Sequence, residues 1–179
     1  MLNCKFIYFL FGRCILIKHL SFLLFLTLFS LSTFVNAQVG QVVMFHGKVH
    51  IEREQQQLPA SQAMSLLLQD RVVTQQASRV QLQFEDQTVI TLGADTQFEV
   101  QSFVNEENNQ AQAKFNVAKG TFKTITGRIG KAAPQNFKLE TPTATIGIRG
   151  TIFTGRVTKG KEWIATLRGQ ILVTEKQTG

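Results

Sequence analysis

Apolar and polar residues alternate along most of the chain. Val80, Leu82 and Phe84 alternate with Arg79, Gln81, Gln83 and Glu85, and Phe98 and Val100 with Gln97, Glu99 and Gln101. Phe115 and Val117 sit among Lys114, Asn116 and Ala118, and Phe137 and Leu139 among Asn136, Lys138 and Glu140. Trp163, Ala165 and Leu167 share one face of a later run, and Ile171 and Val173 share a face of the next. A strand sends successive side chains to opposite faces, so each run predicts a half-buried strand. Turn signals separate the runs at His46-Gly47, Glu85-Asp86, Gly93-Ala94-Asp95, Asn105 to Asn109, Lys119-Gly120, Lys159-Gly160 and Arg168-Gly169. The pattern predicts one all-β domain of roughly a dozen short strands.

Pro59 to Asp70 is open to two readings. Pro59 suits the first turn of a helix, whereas Leu66-Leu67-Leu68 could equally be a buried strand leading into Arg71-Val72-Val73-Thr74. Near the C-terminus, Gly120-Thr121-Phe122-Lys123-Thr124 is similar to Gly150-Thr151-Ile152-Phe153-Thr154. A strand-turn unit repeated in this way leans towards a small β-roll or β-helix-like architecture, or a sandwich.

The beginning of the chain follows different rules. Residues 1–37 hold 7 of the 15 Phe, both cysteines (Cys4 and Cys14) and no acidic residue. Lys5, Arg13 and Lys18 precede an apolar block from Leu20 to Leu31, followed by Val35-Asn36-Ala37. A basic region, an apolar region and small residues before the cut make a secretory signal peptide, with cleavage expected between Ala37 and Gln38. The alternative is an uncleaved anchor, since Cys14 to Val35 approaches the ~20 residues that cross a bilayer. In both cases the folded part, residues 38–179, is exported and expected in the periplasm, and it meets the membrane only through an uncleaved leader. Residues 38–179 contain no cysteine, which excludes disulfides, thiolate metal sites and a Cys nucleophile there.

Charge adds one asymmetry. The leader takes three of the 19 Lys and Arg, so residues 38–179 carry +4 rather than the +7 of the whole chain. Residues 38–109 carry −5 and residues 110–179 carry +9. Such polarity suits an acidic envelope protein or an anionic surface ligand, and equally the solvated faces of strands. In an exported protein no nucleic-acid partner is expected.

Candidate chemistry is sparse. His46 and His50 on one strand would stand about 13 Å apart at ~3.3 Å per residue, too far to share a metal without a bend. Ser61, Ser65, Ser78 and Ser102 lie in no Gly-x-Ser-x-Gly elbow. Glu85-Asp86 and Glu106-Glu107 read as solvated turn charges, because strand neighbours face opposite ways. The Gly120 to Lys131 stretch fails the phosphate-loop spacing, with Ile125 and Ala132 at the positions that need Gly and Ser or Thr. No metal, cofactor or catalysis is expected, and an envelope hydrolase is the weakest of the functional readings.

The most distinctive stretch is Thr141-Pro142-Thr143-Ala144-Thr145-Ile146-Gly147-Ile148-Arg149-Gly150-Thr151-Ile152-Phe153. It resembles the Thr-Pro … (Val/Ile)-Arg-Gly-Thr-x-Phe signature of the FecR-like periplasmic domain. Gln69-Asp70-Arg71-Val72-Val73-Thr74 with Ser78-Arg79-Val80-Gln81-Leu82, Glu85 to Leu92, Lys119-Gly120-Thr121-Phe122 and Arg168-Gly169-Gln170-Ile171-Leu172-Val173 are similar to the other strand positions of that family. The likeness runs from about Val39 to Thr174 and departs at Gln69 and Gln87, where the family usually places Gly. Regulatory members of the family relay signals from an outer-membrane TonB-dependent receptor to an extracytoplasmic-function sigma factor through a cytoplasmic helical arm. That arm is not expected here, because only the stretch up to Lys18 precedes the apolar block.

Within the signature, Pro142 restricts Thr141 to extended geometry and marks an edge or strand start. Ile146 and Ile148 face one side, and Gly147 and Arg149 the other. Gly150 permits positive φ or close backbone packing, and the five donors of Arg149 suit a carboxylate or turn carbonyls. Thr141, Pro142, Gly147, Arg149, Gly150, Thr151 and Phe153 are therefore expected to form a structural corner, with a partner contact as the alternative. Lys159, Lys161 and Arg168 are the candidate basic partner surface. Together these features imply a non-catalytic, exported binding module that offers strand edges and a basic C-terminal half. The alternative is a membrane-anchored component of a signal relay. Neither implies a particular oligomeric state.

Mass spectrometry of the protein from the envelope fraction should find Gln38 as the N-terminus, free or cyclised. An intact leader in the mature pool would select the anchored form.

Overall fold

The computed structural model describes residues 38–105 and 110–176. The expected leader, with Ala37 and the cleavage site, lies outside the described residues. The first strands are β1 (Gln38–His46), β2 (Val49–Arg53), β3 (Gln56–Pro59), β4 (Ser65–Leu67), β5 (Arg71–Thr74) and β6 (Arg79–Phe84). They are followed by β7 (Val89–Leu92), β8 (Gln97–Val104) and the long β9 (Gln112–Ile125). A five-residue helix α1 (Arg128–Ala132) and a 3-10 turn (Pro134–Asn136) lead into β10 (Phe137–Glu140). The chain closes with the hairpin β11 (Ala144–Thr158) and β12 (Lys161–Glu175).

All twelve strands join one sheet, in the order β3-β2-β5-β8-β9-β7-β6-β1-β4, with β10 between β9 and β11, and β12 beyond β11. The sheet is antiparallel apart from the β9–β10 pair and curls into a half-barrel. The all-β expectation holds. The two similar glycine-led segments do not stack as parallel rungs; they pair antiparallel, Gly120 to Ile125 against Val157 to Ile152.

Curling lets β9 serve two neighbourhoods. Residues 113–116 lie between β8 and β10, and residues 122–125 between β7 and β11. Gly120, at φ +107, marks the change of direction, packed against Thr96. The Thr96 hydroxyl accepts the Thr121 N–H at 3.0 Å and donates to the Gly93 carbonyl at 3.0 Å.

The concave side holds the core. Phe84, Phe98, Phe115, Phe122, Phe137 and Phe153 are fully buried. Phe115 is central, with ring centroids at 4.7 Å from Phe84, 5.5 Å from Phe98 and 5.7 Å from Phe137. Fully burying such side chains contributes about 1.5–3 kcal/mol each. The alternation at Val80–Phe84, Phe98–Val100, Phe115–Val117 and Phe137–Leu139 thus reads the core face correctly.

Of the two readings of Pro59 to Asp70 the strand holds: Leu66 is buried in β4, Pro59 ends β3, and Ala63 and Gln69 sit at φ 60 and 66, which a right-handed helix excludes. Two expectations need correction. Lys119-Gly120 and Arg168-Gly169 are not turns but bends inside β9 and β12. Asp86 is not a solvated turn charge. It is buried, and its carboxylate accepts from the Thr88 N–H at 2.9 Å, the Thr88 hydroxyl at 2.8 Å and the Ile129 N–H at 3.3 Å. Asp70, also buried, receives two hydrogen bonds from Arg53 at 2.7 and 2.8 Å and one from the Leu67 N–H at 2.8 Å. Buried carboxylates persist because donors replace the water they lose.

Replacing Phe115→Ala should cost about 3–5 kcal/mol in chemical denaturation. Phe45→Ala, on a residue 40% exposed, should stay within about 0.5 kcal/mol of the parent.

Candidate functional site

The Thr141–Phe153 segment opens on a turn whose two ends, Thr141 and Ala144, are buried. The Thr141 N–H donates to the Ala144 carbonyl at 2.9 Å, and its hydroxyl oxygen accepts the Ala144 N–H at 3.0 Å. Pro142 is exposed in the bend just before β11 starts. Ile146 and Ile148 then face the core while Arg149 faces solvent. Gly147 lies opposite Leu172 with room for a side chain, and Phe153 is buried edge-on to Phe122 at 6.0 Å.

Between these ends the strand changes direction. Gly150 holds φ +58 with no atom near its missing Cβ, so conformation and not crowding selects glycine. Crowding belongs to Gly169, at φ +85, where a Cβ would strike the Gly150 carbonyl. Thr151 fastens the bend. Its hydroxyl accepts the Arg149 N–H at 3.1 Å and donates to the Gln170 carbonyl at 2.7 Å, while its N–H reaches Thr126 Oγ1 at 3.0 Å. These contacts account for Gly150 and Thr151 as a corner. Arg149 takes no part through its side chain, which makes no hydrogen bond or ion pair among the described residues.

The bend folds the hairpin back on itself. Ala144 and Val157 would be about 40 Å apart on a straight strand at ~3.3 Å per residue. Yet Glu162, which pairs with Val157, accepts the Thr141 hydroxyl at 2.6 Å and the Thr143 N–H at 3.1 Å. Lys176 closes the same end, donating to Glu140 at 3.1 Å and to the Thr141 carbonyl at 2.9 Å. Burial pushes the Glu140 carboxyl up, but Lys114 at 2.8 Å and Lys176 outweigh it, holding the group below the usual carboxylate range.

The convex face of this hairpin is cationic and apolar. Register places Trp163 opposite Arg156, Ala165 opposite Thr154, Arg168 opposite Ile152 and Gln170 opposite Arg149. Trp163 and Leu167 are each 59% exposed and Leu172 71%, and on the opposite face Val173, paired with Ile146, is 48% exposed. The expectation that β12 is half-buried therefore fails, because among the described residues this strand has a neighbour on one side only. Lys159 and Lys161 flank Gly160 at the tip, whereas Arg168 stands at the bend, so the cations line an edge and do not cluster. Sequence reading missed Trp163, Leu172 and Glu162 as site residues. The signal was the uninterrupted Ile171-Leu172-Val173, which gives both faces of one strand an apolar side chain.

Other candidates stay apart. His46 is exposed on β1, and His50 lies on β2 with Nε2 3.6 Å from Glu52. Ser78 is buried, accepting the Lys48 N–H at 2.9 Å, and Ser65 bonds Gln38, the first residue of β1, at 2.8 Å. Among the described residues no group of three or more His, Cys, Asp or Glu is placed to hold a metal, and no helix is long and apolar enough to cross a membrane.

The family model described as FecR protein matches residues 70–172, from the buried Asp70 to the exposed Leu172 of β12. No curated protein and no solved structure matches the chain. Gln69 and Gln87, where the sequence departs from the family's glycines, hold φ 66 and 70. The turns those glycines would make are thus formed with side chains that tolerate the left-handed region less well.

Gly150→Val should cost roughly 1–3 kcal/mol through backbone strain. Gly150→Asn should be milder, since Asn tolerates the left-handed region. Gly169→Ala should cost more than Gly150→Ala, because it adds a collision to the strain. Thermal melts of the four variants check the order, and an unchanged Gly150→Val would remove the corner.

Proposed function

This chain belongs to the FecR protein family, and from that membership we propose that its β domain is a non-catalytic interaction module of the bacterial envelope that takes part in signalling. The family works in envelope signalling with protein partners, and its domains are generally periplasmic. On this reading residues 1–37 are removed on export and residues 38–179 remain as the working domain.

One observation carries the proposal: the β11–β12 hairpin leaves apolar and cationic side chains uncovered together. Arg149, Lys161 and Arg168 face solvent without a carboxylate among the described residues, beside Trp163, Leu167 and Leu172. A large aromatic and arginines on one exposed surface are the residue types that anchor protein interfaces. The Arg-Gly-Thr signature has two roles: Gly150 and Thr151 shape the bend, and Arg149 projects from it towards the partner.

The double reversal Lys159→Glu with Lys161→Glu tests the cationic surface. Exposed charges are screened over about 8 Å at physiological ionic strength, so capture of an envelope partner should weaken with salt. The reversed domain should associate more slowly, since rim charges act mainly on encounter, with stability changed by no more than about 0.5 kcal/mol. Equal retention of the partner by both proteins at low and high salt would reduce these charges to a solvated face.

A further inference from the structure

Three strands end the sheet's hydrogen-bonding network. β3 has four residues and finishes at Pro59, and β4 has three. β12 has fifteen, contains no proline, and among the described residues pairs with β11 alone. A long unpaired strand edge presents a row of backbone N–H and C=O groups ready for another strand. Lys161 and the irregularity at Leu167 keep that edge from pairing indiscriminately, but neither closes it.

We propose that β12 is the docking edge for an extended segment of a partner protein, which adds antiparallel to it and carries acidic side chains on the convex face. This rests on the reading of the domain as an interaction module and specifies its contact. Charge selects the occupant. The convex face of the hairpin carries Arg149, Arg156, Lys161 and Arg168. The β12 carboxylates do not offset them: Glu162 is engaged by Thr141 and Thr143, and Glu175 pairs with Ala144 on the core side. A second copy of β12 would bring the same cations to the same face and be repelled. A strand with carboxylates there would be attracted, since opposite charges directly across a sheet stabilise and like charges destabilise.

Register then fixes the spacing of the incoming side chains. On the convex face lie Leu172, Gln170, Arg168, Ala165, Trp163 and Lys161. Leu167 is an extra residue, because Ile152 pairs with Arg168 and the adjacent Phe153 with Thr166. A regular strand running antiparallel therefore meets Leu172, Arg168, Trp163 and Lys161 with its first, fifth, ninth and eleventh residues. The favoured partner reads apolar, three residues, acidic, three residues, apolar, one residue, acidic.

Trp163 is the single tryptophan of the chain and stands on this edge, so its emission reports docking directly. A synthetic peptide of that pattern, titrated into the processed protein, should shift Trp163 emission to the blue saturably. The same peptide with lysines at both acidic positions should bind about tenfold more weakly or worse. Arg168→Glu should narrow or invert the preference. Methylating the peptide amides that face β12 should abolish binding, whereas methylating the alternate amides should leave it unchanged, which separates strand addition from a charge contact. Equal binding of the two methylated peptides, an acidic peptide that leaves Trp163 unchanged, or a dimer in sedimentation that Leu172→Glu dissolves would each overturn the proposal. If the peptides fail while salt-sensitive capture of an envelope partner persists, the interaction module stands and the edge is not its contact. If the peptides bind while that capture is insensitive to salt and to the lysine reversals, the edge stands and the broader cationic surface falls.

Discussion

Three strands of fourteen and fifteen residues must change direction without ending, and the rest of the molecule follows from how they do it. A strand that stops at a bend gives up its ladder. One that passes through a residue of positive φ keeps its partners on both sides of the corner. Gly150 and Gly169 face each other at such a point, with the hydroxyl of Thr151 bridging the two strands through the Gln170 carbonyl. Because the corner holds, Glu162 comes round to Thr141, and a hairpin that could have projected as a ribbon wraps the end of the core.

The core is complete before β12 is added. Its six fully buried phenylalanines lie on β6, β8, β9, β10 and β11, and β12 supplies only the partly covered Ile164 and Ile171. Trp163, Leu167, Leu172 and Val173 are thus apolar area that folding does not use. Exposed apolar area of this kind, beside cations, is where a folded domain meets another molecule. The outermost strand can serve recognition because stability rests on the strands inside it.

Charge is arranged by the same geometry. On the acidic side a ladder runs across neighbouring strands, Glu52 to Arg71 to Glu99, and Asp70 and Asp86 are satisfied in the interior. On the basic side Glu140 is shared by Lys114 and Lys176, and Glu162 is held by two threonines of the turn. With those two carboxylates committed, the arginines and lysines of the hairpin are left for solvent or a partner. Net charge along the sequence hinted at this, and the pairing explains it.

The sequence by itself determined the strands and the sense of their faces. Alternation at Val80–Phe84, Phe98–Val100, Phe115–Val117 and Phe137–Leu139 is a local consequence of strand geometry, and all those apolar residues are buried. It also determined the family, because the segment from Thr141 to Phe153 is specific, and it separated Ile146 and Ile148 from Arg149 by parity alone. Tertiary structure decided what depends on who lies next to whom. The same alternation in β12 buries little, because burial needs a neighbour and, among the described residues, β12 has one on a single side. Glycine at 120 and 169 signals a turn in sequence, yet becomes a bend inside a strand once flanking partners hold the ladder together. Asp86, read as a solvated turn charge, is interior because Ile129 of α1, 43 residues later in the chain, brings its N–H to it. Parity is written residue by residue, whereas edges, bends and buried charges arise from contacts between distant segments.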